Sequence, residues 1–293
     1  KIARIFFFFI IGYALHIPIF SLTKLFREST PQQLESFFAV DVLQCIGVGL
    51  LFLFLTRLLI KSDKAYHYFL IVSLVVVILM SPLLWKIDFN QYVHPLVGNY
   101  FNRLHGSLFP LFPWLNFLLA GGIFAKYFVD ARERNEEEKF VRNIAIAGLA
   151  VLLFGHLFLS GLFPPIFTSI LPNPIFYLQR QGYIFALFYL CWLVDKKYNI
   201  KKSFVLDASR ESLIVYWLHL VIIFGAFLGG KSFADKIGKT MSAFEATGSA
   251  IVLIILIIVV AKLWGWAKIR YPKFASVGVR VFAAVLILAF ILS

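Results

Sequence analysis

The sequence predicts an all-α fold, a polytopic transmembrane helix bundle of about nine spans, and three observations carry that prediction. Hydrophobic residues make up 61% of the 293 and charged residues only 15%, with a mean hydropathy of +0.86. A water-soluble domain of this length needs a more polar exterior. Apolar runs long enough to cross a ~30 Å hydrocarbon core, roughly 20 residues at 1.5 Å each, recur along the chain. None alternates with a period of two, which argues against a barrel and leaves helices, which satisfy their own backbone in lipid.

Taken in order, the spans fall at residues 3–21, 37–56, 66–85, 108–127, 142–162, 176–194, 211–230, 246–264 and 277–293. Lys1 and Arg4 before Ile5 to Ile10 imitate a secretory signal, but no small-residue cleavage pattern follows and Gly12 to Phe20 carry the span on. The fourth span opens with Pro110 and Pro113, whose missing N–H groups are tolerated in a first helical turn, and Trp114 suits an interfacial depth. Gly121 and Gly122 are expected to admit a neighbouring helix closely. The acidic–basic run from Asp130 to Lys139 reads as a solvated loop or helix extension. No connection has room for a soluble domain, so residues 1–293 read as one transmembrane domain. Cys45 and Cys191 lie inside apolar runs, where they read as buried small hydrophobes rather than a disulfide or metal pair.

The basic residues set the orientation. Of the 28 Lys and Arg, 20 fall on one set of alternate connections and 8 on the other. The larger set includes Arg57, Lys61, Lys64, Lys126, Arg132, Arg134, Lys196 and Lys197. The positive-inside rule then places the start of the chain in the cytoplasm. A net charge of +13 arranged in short clusters between spans faces lipid headgroups, not nucleic acid. The short loops suit a bacterial inner membrane.

With this orientation the unusual polar residues gather at the non-cytoplasmic face. His16 closes the first span, Asp41 and Gln44 open the second, and His94, Arg103 and His105 lie in the third-to-fourth connection. Gln179, Arg180 and Gln181 open the sixth span, and His219 lies near mid-depth in the seventh, on one face with Tyr216. Ionisable groups at membrane depth usually face a bundle interior or a wet cavity. Each has a plainer reading as well. Asp41 with Gln44 at i, i+3 is also a structural polar pair, Arg180 also a snorkelling cation, and Tyr216–His219 also a packing network. There is no P-loop, dinucleotide fingerprint, nucleophile elbow or metal-type Cys/His spacing, and neither a metal nor a resident cofactor is expected.

The ordered apolar motifs carry a resemblance. Phe38-Ala39-Val40-Asp41-Val42-Leu43-Gln44-Cys45-Ile46-Gly47, preceded by Arg4-Ile5 to Leu15, is followed by Phe109-Pro110-Leu111-Phe112-Pro113-Trp114-Leu115 and by Ser209-Arg210-Glu211-Ser212-Leu213 into Tyr216-Trp217-Leu218-His219. This set resembles the heparan-α-glucosaminide N-acetyltransferase family of membrane acyltransferases over most of residues 1–230. The resemblance implies transfer of an acetyl or other acyl group from cytoplasmic acyl-CoA, with acetyl-CoA as the expected cosubstrate, to a sugar or small glycoconjugate on the far side. It also implies one or two further N-terminal spans bearing the principal catalytic histidine before Lys1.

Within the present residues, His105 and Arg180 are the catalytic candidates, and His16, Asp41, Gln44, Arg103, Trp114 and His219 the substrate-binding ones. An outer histidine with an ordinary pKa near 6.5 can take and return a proton. Arg103 or Arg180 can stabilise an oxyanion or hold an anionic glycan. The competing readings are a transporter or flippase, which paired broken helices and inverted repeats would favour, and a non-catalytic membrane subunit. The sequence leaves acceptor, acyl chain and oligomeric state open.

Overall fold

The computed structural model describes residues 2–17, 19–199, 203–225, 232–237 and 240–292. Lys1, Lys201, Lys202, Lys231, Lys239 and the end of the expected span 211–230 lie outside the described residues. Every element among the described residues is helical. In chain order they are α1 (Ile2–Leu15), α2 (Leu22–Glu28), α3 (Pro31–Phe37), α4 (Val42–Leu59), α5 (Asp63–Leu84), α6 (Pro95–Gly98), α7 (Leu111–Glu133) and α8 (Glu137–Leu157). The rest are α9 (Pro165–Thr168), α10 (Pro174–Tyr198), α11 (Phe204–Arg210), α12 (Ser212–Phe224), α13 (Phe233–Ile237), α14 (Ala243–Arg270) and α15 (Pro272–Leu292).

Among the described residues, six helices are long and apolar enough to cross a membrane: α4, α5, α7, α8 with its π-helical extension to Leu162, α14 and α15. Large apolar side chains cover their outer faces, with Leu79 63%, Val252 66% and Phe274 82% exposed. In water such surfaces would aggregate; in lipid they are the solvated faces. The chain is a helical integral membrane protein. The expected count of nine differs from six for physical reasons. Among the described residues, α1 and α12 are apolar but only 14 and 13 residues long. Helix α10 has the length, 25 residues, but Gln179-Arg180-Gln181 lowers its hydropathy.

The helices form two compact units, residues 1–18 with 28–198 and residues 19–27 with 199–293. In the first unit α8 packs along α10 where glycines let the backbones approach. A Cβ on Gly182 would lie 2.5 Å from the Gly148 carbonyl, and one on Gly155 would lie 2.7 Å from Gln179 Cβ. The close approach expected at Gly121 and Gly122 is not found: a Cβ on Gly121 would meet nothing within 4 Å and one on Gly122 only Leu70, at 3.5 Å. Helices α5 and α7 pack through Leu70, Val77, Leu115 and Leu119. In α7 Phe112 keeps extended angles, φ −99° and ψ 108°, so the regular helix begins beside Pro113, in keeping with the first-turn role expected of the prolines. Cys45 is buried in this unit; Cys191 is exposed on α10, not buried as expected.

In the second unit α11 and α14 are joined by Lys268 Nζ to Glu211 Oε1 at 2.5 Å, and Lys262 lies over the Phe204 ring at 4.1 Å. Ser242 and Glu245 form the capping box that starts α14.

Candidate functional site

Residues 85–110 of the first unit form a polar-cored cap. Three small polar side chains inside it, Asn99, Asn102 and Ser107, are at most 2% exposed and tie its irregular stretches together with hydrogen bonds. Asn102 Nδ2 donates to the carbonyls of Leu84 and Ile87, and Asn99 Nδ2 donates to that of Phe38. Ser107 Oγ donates to the Asn99 carbonyl at 2.8 Å and accepts from Val40 N at 3.0 Å. Leu108 and Phe109 N–H both donate to Val40 O at 3.0 Å. Trp85 Nε1 donates to the Phe112 carbonyl at 2.7 Å. The cap is thereby sewn to the start of α4, the end of α5 and the start of α7.

On this cap His105 is held from both sides. Its Nδ1 meets the Glu35 carboxylate, and its Nε2 lies 2.7 Å from Asp88 Oδ1. Ionised carboxylates only accept, so both ring nitrogens carry protons and the ring is an imidazolium. The Asp88 bond, chiefly, and Glu35 hold the His105 pKa above its ordinary value, while the His105 bond, chiefly, holds Asp88 below the usual carboxylate range. In this arrangement His105 has no lone pair with which to act as a base.

The second cluster lies one residue further along α3. His16, just past α1, directs Nδ1 to the Ser36 carbonyl at 3.2 Å. A carbonyl can only accept, so Nδ1 carries the proton and, in the neutral ring, Nε2 keeps its lone pair. Nε2 lies 3.8 Å from Asp41 Oδ2, within ion-pair range but too far for a hydrogen bond. Asp41 is the N-cap of α4: its side chain accepts from Val42 N, and Gln44 Oε1 accepts from Asp41 N, completing a capping box. Gln44 is fully buried, and its Nε2 has no hydrogen-bond partner among the described residues. Gly12, one turn before His16, makes room for this amide: a Cβ there would lie 2.8 Å from Gln44 Cδ. Beside it the Tyr13 and Tyr100 hydroxyls pair at 3.1 Å. Burial pushes the Tyr100 hydroxyl above the tyrosine range, so it stays protonated.

The other residues expected from sequence are placed as follows. Trp114 packs on Phe109 and edge-on against Tyr177, its Nε1 buried without a partner. Arg103 is exposed on the cap. Arg180 is exposed and lies over the Phe176 ring, 4.4 Å from its centroid, in the manner of a snorkelling side chain. His219 belongs to the second unit, where its Nδ1 donates to the Val215 carbonyl one turn back and its ring meets Tyr216 edge-on. His94 accepts from Leu96 N and stacks edge-on to Phe38.

Sequence reasoning brought out His16, Asp41, Gln44 and His105 but missed Glu35, Asp88, Tyr13, Ser36 and Tyr100. Asp41-x-x-Gln44 before an apolar run is itself a capping-box signature. Nothing local marks Glu35 or Asp88, which lie 70 and 17 residues from His105. Compared with known proteins, the chain matches no family model, no curated protein and no solved structure.

Proposed function

We propose that this protein is a membrane-embedded acyltransferase that passes an acetyl or other acyl group from cytoplasmic acyl-CoA to a sugar or glycoconjugate hydroxyl or amine outside. In this reading α1, α10 and α12 also cross the membrane, giving nine spans with the chain start in the cytoplasm. The observation that carries it is the buried, unpartnered Gln44 Nε2 beside the His16–Asp41 pair. An orphaned buried donor is costly unless a ligand oxygen occupies it. With the His16 lone pair, to which Asp41 links it, this donor supplies the two elements that acyl transfer requires: a proton acceptor and a donor for a developing oxyanion.

The acceptor's O–H or N–H gives its proton to His16 Nε2 while its oxygen or nitrogen bonds the acyl carbon. Gln44 Nε2 donates to the carbonyl oxygen as it becomes negative. The carbon–sulfur bond then breaks, and the CoA thiolate leaves and takes up a proton. Asp41 faces the imidazolium as it forms. His105, with both nitrogens engaged, holds the cap in place around these groups, and Arg103 lies at the exposed surface where an anionic glycan would arrive.

The test uses the full-length protein in oriented vesicles, with radiolabelled acetyl-CoA on the cytoplasmic side. His16→Gln and Gln44→Leu should each cut label transfer to the outer glycan fraction by about 10²-fold or more, with membrane insertion unchanged. Arg180→Ala should retain most activity. A wild-type protein that moves an unmodified solute and never transfers label is a transporter. Label transfer at full rate in both variants refutes the site.

A further inference from the structure

The first unit contains a second place where polar atoms are buried without partners. Helices α5, α7, α8 and α10 line a partly open groove of about 310 Å3, with Leu74 and Ile78 of α5, Ala120 and Tyr127 of α7, and Tyr177 and Phe185 of α10 among its residues. Its wall is mostly apolar, and the residues in it that carry polar atoms on their side chains are Asn116, Tyr127, Tyr177 and Gln181. Asn116 is only 3% exposed, yet among the described residues its Nδ2 has no hydrogen-bond partner, and Gln181 Oε1 is also buried and unpartnered.

The two amides line the same groove, and each lies within the first ten residues of its helix, Asn116 in α7 and Gln181 in α10. From Asn116 the lining continues along α7 as far as Tyr127, about 16 Å further at 1.5 Å per residue. That is about half of a ~30 Å hydrocarbon core, the depth of one leaflet. At its far end Tyr127 is already satisfied, because its hydroxyl pairs with His67 Nε2 at 2.9 Å.

Water does not account for this site. A groove of this volume would hold several waters, each seeking two to four polar partners, and apolar cavities otherwise stay dry. One donor and one acceptor in a mostly apolar slot match a group that both accepts and donates. A hydroxyl does so with a single atom.

We infer that this groove binds a single-chain lipid bearing a hydroxyl head, with the head between Asn116 and Gln181 and the chain lying along α7. The size falls at the lower end of ligand pockets, which suits one chain and not two. The site is separate from the Gln44–His16 cluster and does not depend on acyl transfer.

The probe is a photoreactive long-chain alcohol, with a diazirine in the chain and a terminal alkyne, added to the purified protein in lipid nanodiscs. Adducts should map to groove residues such as Ile78, Ala120 and Phe185, and excess plain long-chain alcohol should compete. Asn116→Leu and Gln181→Leu should each lower capture about tenfold, the worth of one buried hydrogen bond. Ala120→Phe should abolish it by filling the slot. If Ala120→Phe lowers the melting temperature, the two amide variants decide alone. Adducts spread evenly over the lipid-facing surface, insensitive to all three substitutions, overturn the site. A matching alkane probe captured equally well by wild type and Asn116→Leu overturns the hydroxyl assignment.

Discussion

Glu35 and His105, 70 residues apart in the chain, meet as carboxylate and imidazole Nδ1, while Asp88 engages the other ring nitrogen. This places a cation between two anions where three segments of the cap converge. His105 is held above its ordinary value, chiefly by Asp88, so its contribution to stability is complete below about pH 6.5 and fades as pH rises through the raised value. Asp88 is held below the usual range, chiefly by His105, so its contribution is present above about pH 4 and is lost as pH falls through the lowered value. The melting temperature of the purified protein should therefore peak between those limits. In His105→Gln the high-pH decline should shrink; an identical decline in both proteins would show that another group sets it.

The same geometry separates packing from charge. His105→Ala should lower the melting temperature more than Glu35→Gln does, because alanine leaves Asp88 and Glu35 without their cation whereas glutamine at 35 still leaves the Asp88 bond at 2.7 Å. A double-mutant cycle between the two positions should show coupling. Strict additivity would mean that the pair does not interact in the membrane.

Gly12→Ala probes the other cluster. The new Cβ would lie 2.8 Å from Gln44 Cδ and 2.9 Å from its Oε1, where one of them must move. Overpacking of this kind costs about 1–3 kcal/mol, and here it displaces the donor placed in the site. Acyl transfer should fall by more than tenfold while assembly in the membrane is retained. Full transfer by Gly12→Ala would mean that the position of Gln44 is immaterial.

Gly98→Ala reports on the cap itself. A Cβ there would come within 2.1 Å of Asn90 Oδ1 and 3.2 Å of Asn90 N, and the Asn90 side chain is tied to Asn99 Oδ1 at 2.9 Å. Relief requires breaking that bond beside Asn99, which is 1% exposed. We expect a loss of about 1–3 kcal/mol, read as a lower melting temperature. An unchanged value would show that Asn90 moves freely.

The membrane helices were legible because lipid imposes one strong rule, a long apolar run, and α4, α5, α7, α8, α14 and α15 obey it. Helix α10 was legible only as a length, since Gln179 to Gln181 put polar groups where the rule expects none. The site was half legible. Asp41 and Gln44 share a local spacing, and histidines are rare enough to notice. Their partners were hidden because Glu35 and Asp88 look like ordinary loop carboxylates until the chain folds back. The glycine contacts were misjudged for a related reason. Gly148, Gly155 and Gly182 form a tight seam only because α8 and α10 pair along their length, which composition does not specify.

Orientation rests on charge alone and can be tested directly. The turn between α7 and α8 and the helix ends beside it carry Arg132, Arg134, Glu136 and Lys139, whereas the cap carries Tyr92, which is 77% exposed. In the proposed nine-span topology, 20 of the 28 basic residues would share the side of the α7–α8 turn, and the positive-inside rule would put that side in the cytoplasm. In a background lacking Cys45 and Cys191, Tyr92→Cys should react with an impermeant maleimide in intact cells. Arg134→Cys should react only after permeabilisation; Asn135 is the poorer choice because its φ of 58° disfavours most side chains. Both residues are on the surface of their segments, so neither substitution disturbs packing. Labelling of position 134 from outside would invert the protein. The His16–Asp41 pair would then face the cytoplasm, and a glycan acceptor outside the cell could not reach it.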